Sequence, residues 1–331
     1  MRSAYDELGE AAQVEVLRAI ALRAATAFGI EVARLELLLH GYNTTFALHS
    51  TDGSRFALRV ATNSHSTTEH VIAQQAWIEA IAAETDVLVA PPLRSADGSW
   101  FVEVDAPPLG RPLLVTIAGW LDGADADALE PEAARALGRA MATLHEHAAT
   151  WRMPPGATLP SFDGPLLGDR DLLDAAPGLR DDGRQLLREA RRRTADAFDH
   201  LAGSAAPRPL HADLHGGNVK WHERRLAVFD FDDAGVGLPV LDLAIATFYL
   251  RGEDARLEAA LRAGYAEIAP LPDVDRDDFE ALVASRQLLL ANALQLTSTA
   301  ALRAQASAYL ETSLARLLRW RDTGTFTRAL D

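Results

Sequence analysis

The sequence contains no cysteine. Disulfide staples and thiolate metal sites are therefore excluded. A basic tract is also missing: 32 Lys and Arg face 47 Asp and Glu, a formal charge of −15. Such a surface repels a nucleic-acid backbone, so nucleic acid is not an expected partner. A cationic small molecule would instead be drawn in. No long hydrophobic run is present. The most apolar segment, Leu288 to Leu296, is short and is interrupted by Asn292 and Gln295. It cannot span a bilayer, and no membrane association is expected. The opening residues, MRSAYDELGEAAQ, are acidic and lack an apolar signal core. These absences point to a cytoplasmic protein. What is present is 331 residues with 48% apolar content, enough for two lobes around a sizeable core.

Chemistry concentrates in one stretch, Pro209-Leu210-His211-Ala212-Asp213-Leu214-His215-Gly216-Gly217-Asn218-Val219, and in its continuation Ala227-Val228-Phe229-Asp230-Phe231-Asp232. A polar segment around Arg224-Arg225 between them has the character of a hairpin turn. Two short strands flanking that turn would hold Asn218 and Asp230 close together, with Asp213 on the loop leading in. An amide and a carboxylate make a partial oxygen set for Mg²⁺, which completes its shell with water and phosphate. A second carboxylate remains as a base. That combination suits phosphoryl transfer from a nucleotide.

The spacing His-x-Asp-Leu-x-x-x-Asn followed by an Asp-Phe pair matches the catalytic and metal motifs of protein kinases. The third residue of the second motif is Asp232 rather than Gly. Asp232-Asp233-Ala234-Gly235 and Leu241-Asp242-Leu243-Ala244 follow. On these residues the chain resembles the aminoglycoside phosphotransferase and choline kinase-like family. It is most similar to the branch with kinase-like homoserine kinases and a bacterial stress-response kinase. Ala212 and Gly216 depart from the family's usual Gly and Pro. The resemblance implies an α+β, bilobal protein-kinase-like fold: a small antiparallel-sheet N-lobe, residues 1–117, and a mainly helical C-lobe, residues 118–331. It implies ATP and Mg²⁺ as cofactors, Asp213 as the catalytic base, and Asn218 and Asp230 as metal ligands. It also implies that Asp242 braces the catalytic loop and that His145 packs beneath it.

The rest of the chain is read against that expectation. An amphipathic helix over Gly9 to Phe28 ends at Gly29. Strands follow over Arg34 to Leu39, Phe46 to Leu48 and Phe56 to Val60. The turn Gly41-Tyr42-Asn43-Thr44-Thr45 takes the place of a phosphate-covering loop, with donors from Asn43, Thr44 and Thr45. Arg59 stands where the family has its phosphate-binding lysine; its planar fork suits phosphate oxygens. A helix from about Thr67 to Glu84 offers Gln74, or Glu69, as a partner for Arg59. Leu93-Arg94 and Trp100 to Val104 read as a hairpin around Ala96-Asp97-Gly98. The last small-lobe strand, Leu113 to Ile117, brings Val115 and Ile117 toward the adenine and leads into a hinge. Helices starting at Pro131, Arg184, Pro239, Leu257, Phe279 and Ala301 complete the C-lobe, with an irregular segment over Pro154 to Gly178. Arg286, Gln287 and Asn292 have two readings, facing the substrate or helix–helix hydrogen bonding, and the second is the simpler.

The expected activity is ATP-dependent O-phosphorylation of a small-molecule hydroxyl acceptor: an aminoglycoside-like antibiotic, homoserine or another amino alcohol. The alternatives are a protein Ser/Thr kinase of the stress-response type and a non-catalytic nucleotide-binding module, the latter motivated by Arg59 and Gln74. The lack of an activation segment between Asp230 and Pro239 favours the small-molecule reading.

Overall fold

A computed structural model describes residues 3–125, 129–222, 225–252 and 254–330. The turn through Arg224 lies outside the described residues. The N-terminal part begins with helix α1, Glu10–Ala27, closed by Gly29 in the left-handed conformation. Strands β1 (Val32–His40), β2 (Thr44–Ser50) and β3 (Arg55–Val60) follow, then α2 (Thr68–Glu84), capped by the Thr67 side chain. After β4 (Leu88–Val89) come β5 (Phe101–Ala106) and β6 (Arg111–Gly119). The main sheet is antiparallel, in the order β1-β2-β3-β6-β5. Leu93 and Arg94 are not in a strand. The Leu93 amide instead bonds the Ile117 carbonyl at 2.8 Å, so this segment lies along β6 rather than forming a hairpin with β5.

The remaining described elements are β7 (Ala124–Asp125), α3 (Pro131–Thr150), α4 (Asp181–Leu201), β8 (Arg208–Leu210), β9 (Val219–His222), β10 (Arg225–Val228), β11 (Gly235–Gly237), α5 (Pro239–Leu250), α6 (Arg256–Ala266), α7 (Arg276–Leu296) and α8 (Ala300–Thr323). Strands β9 and β10 form the expected hairpin, pairing Val219 with Val228. β10 also pairs in parallel with β4, which ties the end of the α2 region to the β9–β10 hairpin.

Two apolar clusters hold the chain together. One packs α1 against one face of the main sheet through Leu17, Ile20, Phe46, Leu58, Val115 and Ile117. The other fills the helical part and also takes in Trp77, Ile81 and Val89. The C-terminal half of α2 and β4 thus belong energetically with the helices that follow them. A second tie runs between the lobes at the turn from α7 to α8. Gln13 of α1 donates to the Ser298 carbonyl (2.8 Å) and accepts from the Ala300 amide (2.9 Å). Asn63 donates to Thr299 Oγ1 (3.0 Å) and to the Tyr42 carbonyl (2.6 Å), and the Thr299 hydroxyl donates to the Gly41 carbonyl (2.7 Å). Gln13, Asn63 and Thr299 are all buried, so the clasp is sealed from competing water.

Helices α3 and α6 approach most closely where Gly138 faces the Leu261 carbonyl and Gly264 faces the Arg135 carbonyl; a Cβ at either glycine would overlap the opposing backbone. Backbone cannot rotate away as a side chain can. Alanine would gain about 1 kcal/mol in helix propensity, but overpacking costs about 1–3 kcal/mol and more when nothing can yield. Gly264→Ala is therefore expected to lower the denaturation midpoint, measured by urea unfolding. An unchanged or higher midpoint would contradict this close crossing.

Candidate active site

Strand β8 delivers the chain into the loop that carries Asp213. Ala212, one residue earlier, has φ of 62°, a left-handed backbone that most side chains avoid. The bend is held by Asp242 in the first turn of α5. Its carboxylate is fully buried and accepts from the Ala212 amide (2.7 Å), the His211 amide (3.2 Å) and His145 Nε2 (2.9 Å). His145 Nδ1 lies 3.0 Å from the Tyr265 hydroxyl, which extends the chain of bonds to α6. Burial pushes His211 below its ordinary range and keeps it neutral. Its Nε2 then donates to the Phe229 carbonyl (3.0 Å), while Nδ1 accepts from the Asp213 amide (3.3 Å).

Asp213 is gripped on both oxygens. Asn218 Nδ2 donates to its carbonyl and to Oδ2, each at 2.8 Å. Arg286 of α7 ion-pairs with Oδ1, and the Tyr249 hydroxyl donates to the same oxygen at 3.4 Å. His215, stacked on Tyr249 with ring centres 4.0 Å apart, places Nε2 3.5 Å from Oδ2. Burial alone would raise this carboxyl, but the Arg286 guanidinium and His215 outweigh it and hold Asp213 well below the usual carboxylate range.

Opposite Asp213 stands Arg59. Strand alternation sends successive side chains to opposite sheet faces. The register sets Thr45, Arg59 and Thr116 in one row across β2, β3 and β6. That row faces away from α1. Leu58, Val60, Val115 and Ile117 point the other way, into the core beneath α1. Val115 and Ile117 are thus fully buried core residues and are not brought to the cleft, contrary to the expectation from sequence. Thr44 is also fully buried, its hydroxyl 2.8 Å from His40 Nδ1 and 2.9 Å from Thr62 Oγ1. Asn43 and Thr45 do line the cleft.

Arg59 Nη1 meets Asp230 Oδ1 at 2.8 Å, and Nη2 meets Asp232 Oδ2 at 2.6 Å. Its Nε is buried without a partner among the described residues. Neither suggested partner on α2 pairs with it. Gln74 Nε2 donates to the Asp232 carbonyl (2.9 Å), and Glu69 is exposed. Asn43 Nδ2 donates to Asp232 Oδ2 at 2.9 Å. Arginine at this position accords with the whole composition: Lys220 is the chain's one lysine. Burial in the cleft raises Asp232 to about 6, partly opposed by Arg59. Partial desolvation at the cleft and the neighbouring Asp213 raise Asp233, whose side chain is still 43% exposed, to about 7.

The donors fit a divalent cation that shares its shell with phosphate. Asn218 and Asp230 flank the β9–β10 hairpin, which is tightened by the bond from the Phe229 amide to the Asn218 carbonyl (3.1 Å). The Asn218 amide nitrogen is spent on Asp213, so Oδ1 is the atom that would ligate a metal. No cluster of three or more His, Asp or Glu residues able to hold a metal occurs among the described residues. Magnesium does not require one, since it keeps water and binds one or two protein oxygens beside phosphate.

A cleft of about 650 Å³ joins these parts, with Arg59, Asp213, Asp230, Asp232, Asp233 and Arg286 on its polar side. Asn218 sits behind Asp213, nearly buried. Arg286 and Tyr249 are site residues that sequence reasoning assigned elsewhere or passed over. Arg286 carried a readable signal: a cation inside the apolar run of α7 must find a buried partner. Gln287 and Asn292 do serve packing. Gln287 donates to Ser313, and Asn292 holds the Leu172 amide and the Arg170 carbonyl.

The profile of a phosphotransferase enzyme family matches residues 34–277. An uncharacterized protein of Deinococcus radiodurans is 31% identical over 273 residues, covering 79% of this chain and 77% of that one. Among solved structures, a microcompartment-associated aminopropanol kinase superposes with a TM-score of 0.73 at 24% identity, over 94% of this chain and 100% of the other. An amicoumacin kinase in complex with AMP-PNP and Ca²⁺ gives 0.68 at 18% identity, over 94% of each chain. These two likenesses establish the fold. No helix among the described residues is long and apolar enough to cross a membrane.

The raised carboxyls have a measurable consequence in metal-free protein. Asp232 and Asp233 titrate near 3.8 when unfolded and near 6 and 7 when folded. Between those values the folded state binds more protons, so their contribution to stability is full at about pH 4 and is lost as pH rises toward 7. Urea unfolding in EDTA across that window should show wild type losing stability relative to an Asp232→Asn/Asp233→Asn double variant. A difference that does not change with pH would refute the shifts.

Proposed function

The chain belongs to the phosphotransferase enzyme family, and from that premise we propose that it transfers the γ-phosphate of ATP to a hydroxyl of a small molecule. The observation that carries the proposal is the arrangement around Asp213: an ionised carboxylate, fixed on both oxygens, in one cleft with Arg59 and Asp230. Four carboxylates (Asp213, Asp230, Asp232, Asp233) and two guanidiniums (Arg59, Arg286) leave an excess of two negative charges when all are ionised. One divalent cation would balance that excess; Asn218 and Asp230 are the residues that would hold it beside the nucleotide phosphates.

The remaining work falls to the chain itself. Asp213 accepts a hydrogen bond from the acceptor hydroxyl and orients its oxygen toward the γ-phosphorus. Its low pKa makes it a weak base. The proton therefore passes to Asp213 as the new O–P bond forms and the hydroxyl becomes acidic, while the bond to the departing ADP breaks. Arg59 binds phosphate oxygens through its guanidinium; Asn43 and Thr45 add donors at the mouth of the β1–β2 turn. Positioning and charge stabilisation provide most of the acceleration.

The acceptor class follows from charge. The neighbour with a TM-score of 0.73 is by name a kinase of aminopropanol. An acidic cleft in a chain of net charge −15 suits the same chemistry, a hydroxyl compound bearing an ammonium group. Helix α5 starts at Pro239, which leaves no room after Asp230 for the segment protein kinases use to bind peptide.

Asp213→Ala should lower kcat by about three orders of magnitude or more while preserving the fold and nucleotide affinity. Asp230→Ala should instead weaken Mg-dependent nucleotide binding. ADP release across a panel of amino alcohols, with calorimetry for nucleotide, measures both. Turnover like wild type in either variant sinks the proposal.

A further inference from the structure

Leucines make up much of the cleft lining: Leu289, Leu290 and Leu294 from α7, Leu302 from the start of α8, Leu167 from the irregular segment and Leu39 from β1, with Asp169, Thr297, Gln305 and Tyr309 set among them. The apolar surface does not stop at the wall. Leu39 is 60% exposed, and Leu38 and Leu37 beside it are 50% and 40% exposed. Contiguous leucines left in solvent at the rim of a pocket mark a surface meant to be covered.

Backbone strain marks the same wall independently. Among the described residues, three non-glycine residues have a left-handed backbone: Ala212, Asp230 and Leu167. Ala212 aims Asp213, and Asp230 is itself a carboxylate of the site. Leu167, with φ of 50°, has no polar atom to offer, yet it lines the same cleft. A bulky side chain keeps such a conformation only where its surroundings over-determine it, and such residues cluster at functional sites. The segment around it is fastened on either side. Phe162 and Pro160 bond Val236 (2.8 Å each), and Leu172 and Arg170 bond Asn292. Leu167 is held in the wall at the expense of its own backbone.

We infer, building on the phosphotransfer reading above, that the acceptor is an amphiphile: an amino alcohol whose hydroxyl reaches Asp213 and whose hydrocarbon body lies along the Leu167–Leu290–Leu294 wall. A polyhydroxylated sugar would find partners in Asp169, Thr297, Gln305 and Tyr309, but every hydroxyl laid on leucine would lose a hydrogen bond to water, and each such loss would count against it.

The test is a homologous series of amino alcohols, from propanol to octanol, beside an aminoglycoside. Calorimetry without nucleotide reads Kd, and ADP release with Mg-ATP reads kcat/KM. Affinity should tighten on the order of threefold per added methylene until the wall is covered, with the turnover series following through KM. Leu167→Gly, which also relieves the backbone, should flatten the dependence on chain length while the KM for ATP holds. Leu290→Gln, on a regular helix, serves the same purpose should the first variant not fold. A Kd independent of chain length, or an aminoglycoside bound more tightly than the octanol homologue, overturns the inference. Failure of the phosphotransfer reading looks different: no Asp213-dependent ADP release with any acceptor, with the calorimetric series still deciding the apolar wall.

Discussion

A single buried carboxylate governs the geometry of the site. Asp242 accepts two consecutive backbone amides, His211 and Ala212, together with His145 Nε2. An ionised group withdrawn from water is tolerated only when its lone pairs are met this way. The requirement works in both directions. The amides need an acceptor because the left-handed turn at Ala212 removes them from regular structure, and the carboxylate needs the amides because His145 alone cannot meet its lone pairs. The bend that aims Asp213 is therefore fixed from beneath by α5, and α5 is keyed to α3 and α6 through His145 and Tyr265. The tight glycine crossing of α3 and α6 sets the height of that support.

The charges above this support are arranged in opposition. Arg286 depresses Asp213, whereas loss of hydration at the cleft and neighbouring carboxylates raise Asp232 and Asp233. Neighbouring carboxylates thus differ in protonation tendency because of what surrounds them, and one stays ionised while others hold protons nearer neutrality. Arg59 spans two acids from the sheet side and Arg286 reaches one from the helical side. Each lobe contributes one guanidinium to an acidic floor.

Much of this was legible in the sequence, and for definite reasons. The order of elements followed from periodicity and turn residues. The hairpin after Asp213 followed from spacing, because a local turn brings the Asn218 and Phe229 ends of β9 and β10 together. Asp242 and His145 followed from the family resemblance. The misplaced residues share a different physics. Val115 and Ile117 depended on which sheet face α1 covers, and period-2 alternation cannot say which face is inward until a cover is assigned. Thr44 failed by the same parity. Arg286 meets Asp213 across 73 residues of chain, and no local pattern encodes such a contact. Leu93-Arg94 resembled half of a hairpin because Ala96-Asp97-Gly98 is a real turn. Its partner, however, was already taken: β5 pairs with β6.

The clasp built from Gln13, Asn63 and Thr299 bears on how the two halves can move. They are joined by covalent chain after Gly119, by α2 and the β4–β10 pairing, and separately by sealed hydrogen bonds at Ser298 and Thr299. Parting the sheet from the helices at this edge would leave the polar groups of Gln13, Asn63 and Thr299 buried and unmet, at about 1–3 kcal/mol each. The clasp thus acts as a lock on the β1 margin of the cleft.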